Sequence, residues 1–182
     1  MGSPRWSLIK LLQSELTDIR TGVEIGVWQG ATSVALLEAF PKLELRMVDP
    51  WHELHEDTPN TTARQLEAAK QLAIERTDTY HDRRLLIPMP SLEAVNHVAD
   101  NSLDFGFLDA CRLYEYVKPD TEAWYQKIRP GGVFCGHDYT GWGVRNRGGE
   151  VKPAVDEFAA RHDYEVGTWR SDIWWIKKRG KA

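Results

Sequence analysis

The chain has 182 residues, 42% hydrophobic and 27% charged, which is the balance of a soluble globular protein with room for one sizeable core. Its formal net charge is −4 with Lys and Arg scattered along it, so duplex nucleic acid is not an expected partner, because phosphate binding needs a concentrated basic surface. No apolar run is long enough to span a bilayer, no signal peptide follows Met1, and Cys111 and Cys135 make neither a disulfide framework nor a metal-site spacing, so a reducing, cytoplasmic setting is expected.

Short β-rich runs alternate with helical stretches, and no repeat or linker divides them, so residues 1–182 read as one domain with an N-terminal helix (1–20) and a core (21–182). A helix is expected over 6–19, with Leu8, Leu11, Leu12 and Leu16 on its apolar side. Strand 22–26 follows, then helix 31–40, stopped by Pro41. Strand 43–48 leads to a polar, His-rich segment (51–60) and a helix over 61–75. Strand 84–89 contains Pro88, which cannot donate a ladder hydrogen bond and therefore assigns the strand to a sheet edge.

Ser91 is expected to cap a short helix through Val98. Strand 103–108 and a helix running to Ile128 come next, with Pro119 expected in the helix's first full turn. Arg129-Pro130-Gly131-Gly132 turns the chain into strand 133–136, and a glycine-rich loop (141–149) leads to a helix over 153–161. The runs 164–169 and 172–177 are separated only by Arg170-Ser171, so they read as an antiparallel hairpin. The sum is an α/β, Rossmann-like, doubly wound, mostly parallel seven-stranded sheet that ends in an antiparallel hairpin. A dinucleotide-binding domain would continue with parallel strands instead.

In an open α/β sheet a ligand binds outside the carboxyl ends of the strands. There the first strand ends in Glu24-Ile25-Gly26-Val27-Trp28-Gln29-Gly30. Gly26 lets a ligand approach the backbone, and Gly30 lets the next helix start tightly. Trp28 occupies the middle position of the dinucleotide fingerprint and fits a pyrophosphate poorly, whereas acidic Glu24 suits a cationic ligand. Asp49 closes the second strand, where a carboxylate can accept ribose hydroxyl hydrogens, and Ser91 lies past the third strand, where an adenine edge would rest.

These blocks, with Val48-Asp49-Pro50-Trp51, Ser91-Leu92-Glu93-Ala94, Ser102-Leu103-Asp104-Phe105, Glu122-Ala123-Trp124, Arg129-Pro130-Gly131-Gly132-Val133, Gly136-His137-Asp138-Tyr139 and 151–158, resemble the small class I methyltransferases related to antibiotic and sugar O-methyltransferases. The resemblance runs in order from about Gly22 onward. It implies S-adenosylmethionine as cofactor, bound by Glu24, Gly26, Val27, Trp28, Gly30, Asp49, Ser91 and Asp109, and transfer of its methyl group to a small-molecule hydroxyl.

The strand-end residues Asp109, His137 and Asp138 are the catalytic candidates. In related O-methyltransferases carboxylates at these strand ends hold a divalent metal, so Asp109 and Asp138 are candidate ligands for magnesium or manganese. The chain departs from that family's Asp-Gly-Asp-His pattern with Asp109-Ala110-Cys111-Arg112, losing one carboxylate and the histidine; without a metal, His137 would be the general base. His52 and His55 with Glu53, Glu56 and Asp57 read as a polar loop. Trp28, Trp51 and Trp142 fall at the ligand end, facing a substrate ring or covering apolar surface.

Two rivals stand beside this reading. One is an N-methyltransferase, whose usual motif after the fourth strand is missing here. The other is an adenosylmethionine-binding protein without transferase activity. The acceptor and the oligomeric state are not legible.

Overall fold

In a computed structural model, residues 4–52, 61–140, 150–170 and 172–180 are described. Seven strands form one sheet: β1 (Thr21–Ile25), β2 (Glu44–Val48), β3 (Arg84–Ile87), β4 (Leu103–Leu108), β5 (Ile128–Gly136), β6 (Gly167–Trp169) and β7 (Ile173–Lys177). Their order is β3-β2-β1-β4-β5-β7-β6. Strands β1 to β5 are parallel, and β7 runs antiparallel to both β5 and β6. The hairpin thus closes one side of the sheet, and β3 is the opposite edge, as expected.

Among the described residues six α-helices cover the two faces: α1 (Pro4–Glu15), α2 (Ala31–Ala39), α3 (Ala63–Arg76), α4 (Ser91–Ala94), α5 (Tyr114–Lys127) and α6 (Val151–Arg161). Side chains alternate across the pleat and so divide the core into two clusters. Phe105, Phe107, Val133 and Cys135 meet the apolar sides of α1, α2 and α3 through Leu8, Leu12, Leu36, Leu37 and Ala73. Leu103, Leu108 and Phe134 meet α5 and α6 through Val117, Trp124, Val155 and Phe158. Strand β4 is buried along its whole length, as a central parallel strand must be.

Several element boundaries differ from expectation. Helix α1 stops at Glu15 rather than at Ile19; Ser14 Oγ–H turns back to Leu11 O at 2.8 Å, yet Leu16 and Ile19 still reach the core. Pro88 follows the last paired residue of β3, Ile87, so it terminates the ladder and does not interrupt it. Strand β5 begins at Ile128; the register with β4 shifts between Leu103 and Phe105, and Gly131, at φ +77°, lies in the shifted stretch. Gly131 N–H and Gly132 O pair with Lys178 O and N–H, so the apparent turn is a distorted strand.

Helix α5 begins only at Tyr114, which leaves Pro119 inside it and beyond the first turn. Its start is set from a distance: Glu150 Oε2 accepts the Tyr114 N–H at 2.6 Å. Ser91 does not cap α4; Pro90 holds the cap position, and the Ser91 hydroxyl is engaged elsewhere.

Asp104 clamps the end of the sheet away from the candidate site. It accepts the Arg20 and Thr21 N–H groups at 2.8 Å each and the Arg129 guanidinium at 2.6 Å. Burial alone would raise its pKa, but these donors outweigh burial and hold it below the usual carboxylate range. A depressed native pKa stabilises the fold above the unfolded value, and that contribution is lost as pH falls through the native one. Asp104→Asn is expected to cost about 1–3 kcal/mol at neutral pH. In urea unfolding across pH, the gap between the two proteins should close below about pH 4.

Candidate active site

The carboxyl ends of β1, β2, β4 and β5 converge on one rim. Gly26, at φ +90°, lets the turn after β1 press against β4; a Cβ there would lie 2.2 Å from Asp109 O. Gly30, at φ +73°, begins α2 so close to α3 that a Cβ would lie 2.9 Å from Ala73 Cα. Both glycines are therefore required sterically, and both hold the turn in place.

Asp49 fixes the same turn from β2. Its Oδ2 accepts Val27 N–H at 2.9 Å and Trp28 N–H at 2.8 Å, while Oδ1 accepts Trp51 N–H at 2.8 Å. Burial lifts its pKa above the usual value, opposed by those three N–H groups and by His52. Trp28 and Trp51 both have positive φ, at 52° and 47°. Their conformations are locked by Asp49 and by the Trp51 Nε1–H bond to Trp28 O at 2.8 Å. Trp51 is buried in the core, whereas Trp28 is 47% exposed.

Glu24 is buried at the end of β1 and accepts the Ser33 hydroxyl of α2. Burial raises its pKa well above the usual value; the Ser33 bond and Arg5 oppose this, and Asp109 and Asp49 reinforce it. A pocket of about 810 Å³ opens here. Of the expected residues it is lined by Glu24, Gly26, Val27, Trp28 and Asp109, and it adds Arg5, Gln29, Thr61, Arg76 and Arg112. Gly30, Asp49 and Ser91 are not among its lining residues.

Ser91 belongs to a polar chain. Trp124 Nε1–H donates to its Oγ at 2.7 Å, and its own hydroxyl bonds Asp120. Burial lifts the Asp120 pKa to about 6 against the opposing Ser91 bond.

Asp109, His137 and Asp138 do converge, with one ligand atom from each inside a 4.8 Å set. His137 Nδ1 lies 3.2 Å from Asp138 Oδ1 and 3.9 Å from Asp109 Oδ1. Its Nε2 is buried 2.8 Å from Asp172 Oδ2, close enough for charge contact but not aligned as a hydrogen bond. Burial would lower the His137 pKa, but the Asp138 bond and the three carboxylates outweigh it and raise the pKa. Burial raises the Asp109 pKa, with the His137 charge opposing it. Asp138 is taken down to about 2: burial pushes upward, but the His137 and Arg112 bonds prevail.

Of the three, Asp109 lines the pocket and His137 and Asp138 do not. The donor set suits magnesium or manganese poorly. One of its three donors is an imidazole nitrogen, and the Arg112 guanidinium already pairs with Asp138 Oδ2.

Asp172 joins the cluster from the foot of β7, where it was not expected; the hairpin pairing with β5 was the signal that could have found it. Arg5 and Arg76 were also not expected, because each stands on a helix far away in sequence. His52 is exposed, with Nδ1 3.1 Å from Pro50 O, while Glu53, His55, Glu56, Asp57, Trp142 and Ser171 lie outside the described residues. No helix among the described residues is long and apolar enough to cross a membrane.

Because Asp49 holds three backbone donors, Asp49→Ala is expected to destabilise the ligand-free protein by about 1–3 kcal/mol. Urea denaturation measures this directly, and an unchanged midpoint would show that the turn does not depend on Asp49.

No curated protein matches the sequence. Among solved structures, the O-methyltransferase TomG of Streptomyces achromogenes, involved in tomaymycin synthesis and determined with SAM, is 16% identical at a TM-score of 0.68, over 99% of this chain and 82% of its own. Precorrin-6y C5,15-methyltransferase of Geobacter metallireducens is 15% identical at a TM-score of 0.64, over 97% and 87%. At such identities the likeness carries the fold and not the acceptor. Residues 23–139, from β1 through both strand-end clusters, match the family model described as a methyltransferase domain, and the chain belongs to that family, the class I S-adenosylmethionine-dependent methyltransferases.

Proposed function

We propose that the chain transfers the methyl group of S-adenosylmethionine to the hydroxyl of a small molecule. The observation that carries this reading is Asp109, a half-buried carboxyl that lines the pocket with Glu24 and Gly26 and lies 3.9 Å from His137 Nδ1. We assign the cofactor to Glu24, Gly26, Val27, Trp28, Gly30, Asp49, Ser91 and Asp109.

When bound, S-adenosylmethionine supplies an electrophilic methyl on a positively charged sulfur. The Glu24 and Asp109 wall suits that charge, and Gly26 offers close backbone approach. Asp49 uses three acceptor sites on the backbone and retains one for a ribose hydroxyl. Ser91 gives its hydrogen to Asp120 and receives one from Trp124, so toward the ligand it can only accept, which fits the adenine amino group.

Catalysis then requires alignment of the acceptor and removal of its proton. Asp109 is the base at the pocket wall, and its raised pKa strengthens it for that role. His137, held by Asp138, is a positioning residue whose charge tempers the Asp109 pKa. Arg112 already compensates Asp138, so we assign no metal.

Three measurements test this. Asp109→Asn should lower methyl transfer to hydroxylated small molecules by about 10²–10⁴-fold. His137→Gln removes a charge that lowers the Asp109 pKa, so the acid limb of its rate–pH profile should move to higher pH. Chelation should leave the wild-type rate unchanged; loss restored by magnesium would return Asp109 and Asp138 to a metal site. Transfer to amines but not to hydroxyls would replace the proposed acceptor.

A further inference from the structure

Two arginines of the pocket have no part in the chemistry above. Arg5 lies in the first turn of α1 and Arg76 in the last turn of α3; both are exposed and both line the pocket with Trp28. A cation in a helix's first turn opposes the helix dipole, so the helix itself does not account for Arg5. Among the described residues Arg5 makes no hydrogen bond or ion pair, only a longer-range interaction with Glu24. Arg76 Nη1–H donates to Gln29 O at 3.0 Å, which occupies one donor of its fork.

Charge balance gives these groups a meaning. The lining carries three guanidinium groups, from Arg5, Arg76 and Arg112, against the carboxyls of Glu24 and Asp109. Arg112 is answered by Asp138. The cofactor brings one carboxylate against its own sulfonium and ammonium and so adds a net positive charge. Among the described residues no carboxylate forms an ion pair with Arg5 or Arg76, and an anionic group on the methyl acceptor would answer both.

Trp28 supplies an apolar surface at the same place. Its backbone is locked at φ 52° by bonds on both its N–H and its carbonyl, and its side chain is left half exposed at the pocket. A large side chain held in that conformation by its surroundings marks a functional position.

We propose that the methyl acceptor carries an anionic group, a carboxylate or a phosphate ester, which Arg5 and Arg76 bind while Trp28 covers the acceptor's apolar body. The inference rests on the cofactor reading given above and names the acceptor class of that same site.

Calorimetry on the full chain tests the two claims separately. S-adenosylhomocysteine is titrated first, and its failure to bind overturns the cofactor reading alone; the second titrations are then made on the protein without it. Benzoate, phenyl phosphate and neutral benzyl alcohol follow as probes. At least one anion should bind about tenfold or more tighter than the alcohol, and the tighter of the two names the group. The double variant Arg5→Gln/Arg76→Gln should bring that preference below about threefold, while Arg5→Lys/Arg76→Lys keeps most of it. Arg76→Gln should hold S-adenosylhomocysteine within about twofold of the wild-type affinity. Equal binding of the three probes, no binding of either anion, or an anion preference that survives the double Gln substitution overturns the proposal.

Discussion

The turn after β1 lies so close to the end of β4 that position 26 has no room for a side chain. A Cβ at Gly26 would lie within bonding-like distance of the Asp109 backbone. That contact brings the acidic end of β1 and the catalytic end of β4 into one wall, and Asp49 braces the same turn through three N–H groups from the β2 side. The conformations of Trp28 and Trp51, the pocket mouth and the position of Glu24 all follow from that one close approach.

Around this frame the carboxyl groups are separated by environment more than by type. Glu24 and Asp109 are lifted by burial, Asp138 is held low by a guanidinium and an imidazole, and Asp104, at the far end of the sheet, is held low by backbone donors and Arg129. Groups of one chemical type thereby differ in their affinity for a proton, and in the proposed reaction they take different duties: a cation-facing wall, a base, a tether for His137, and a structural clamp. The segment after β4, where the chain departs from the Asp-Gly-Asp-His pattern, replaces an acidic and a histidine position with Arg112 nearby. Arg112 pairs with Asp138 there.

The order of elements, the edge position of β3 and the antiparallel end of the sheet were legible because they depend on local grammar. Apolar runs of strand length alternated with helical ones, and a two-residue gap can only be a hairpin. The errors fell where distant groups intervene. Glu150 starts α5 from thirty-six residues away, so Pro119 ends up inside the helix. Lys178 pairs with Gly131 and Gly132, so a sequence that reads as a turn is a distorted strand. Ser91 reads as a cap but spends its hydroxyl on Trp124 and Asp120.

By itself the sequence determined which residues end each parallel strand, because side-chain periodicity and turn chemistry act over a few residues. Glu24, Gly26, Asp49, Asp109, His137 and Asp138 were identifiable on that ground alone. Tertiary structure decided which of them share a surface: Asp109 lines the pocket, while His137 and Asp138 do not. It also brought in Arg5, Arg76 and Asp172, which no spacing could assign, since helix packing and strand pairing bring together residues whose separation along the chain carries no signal.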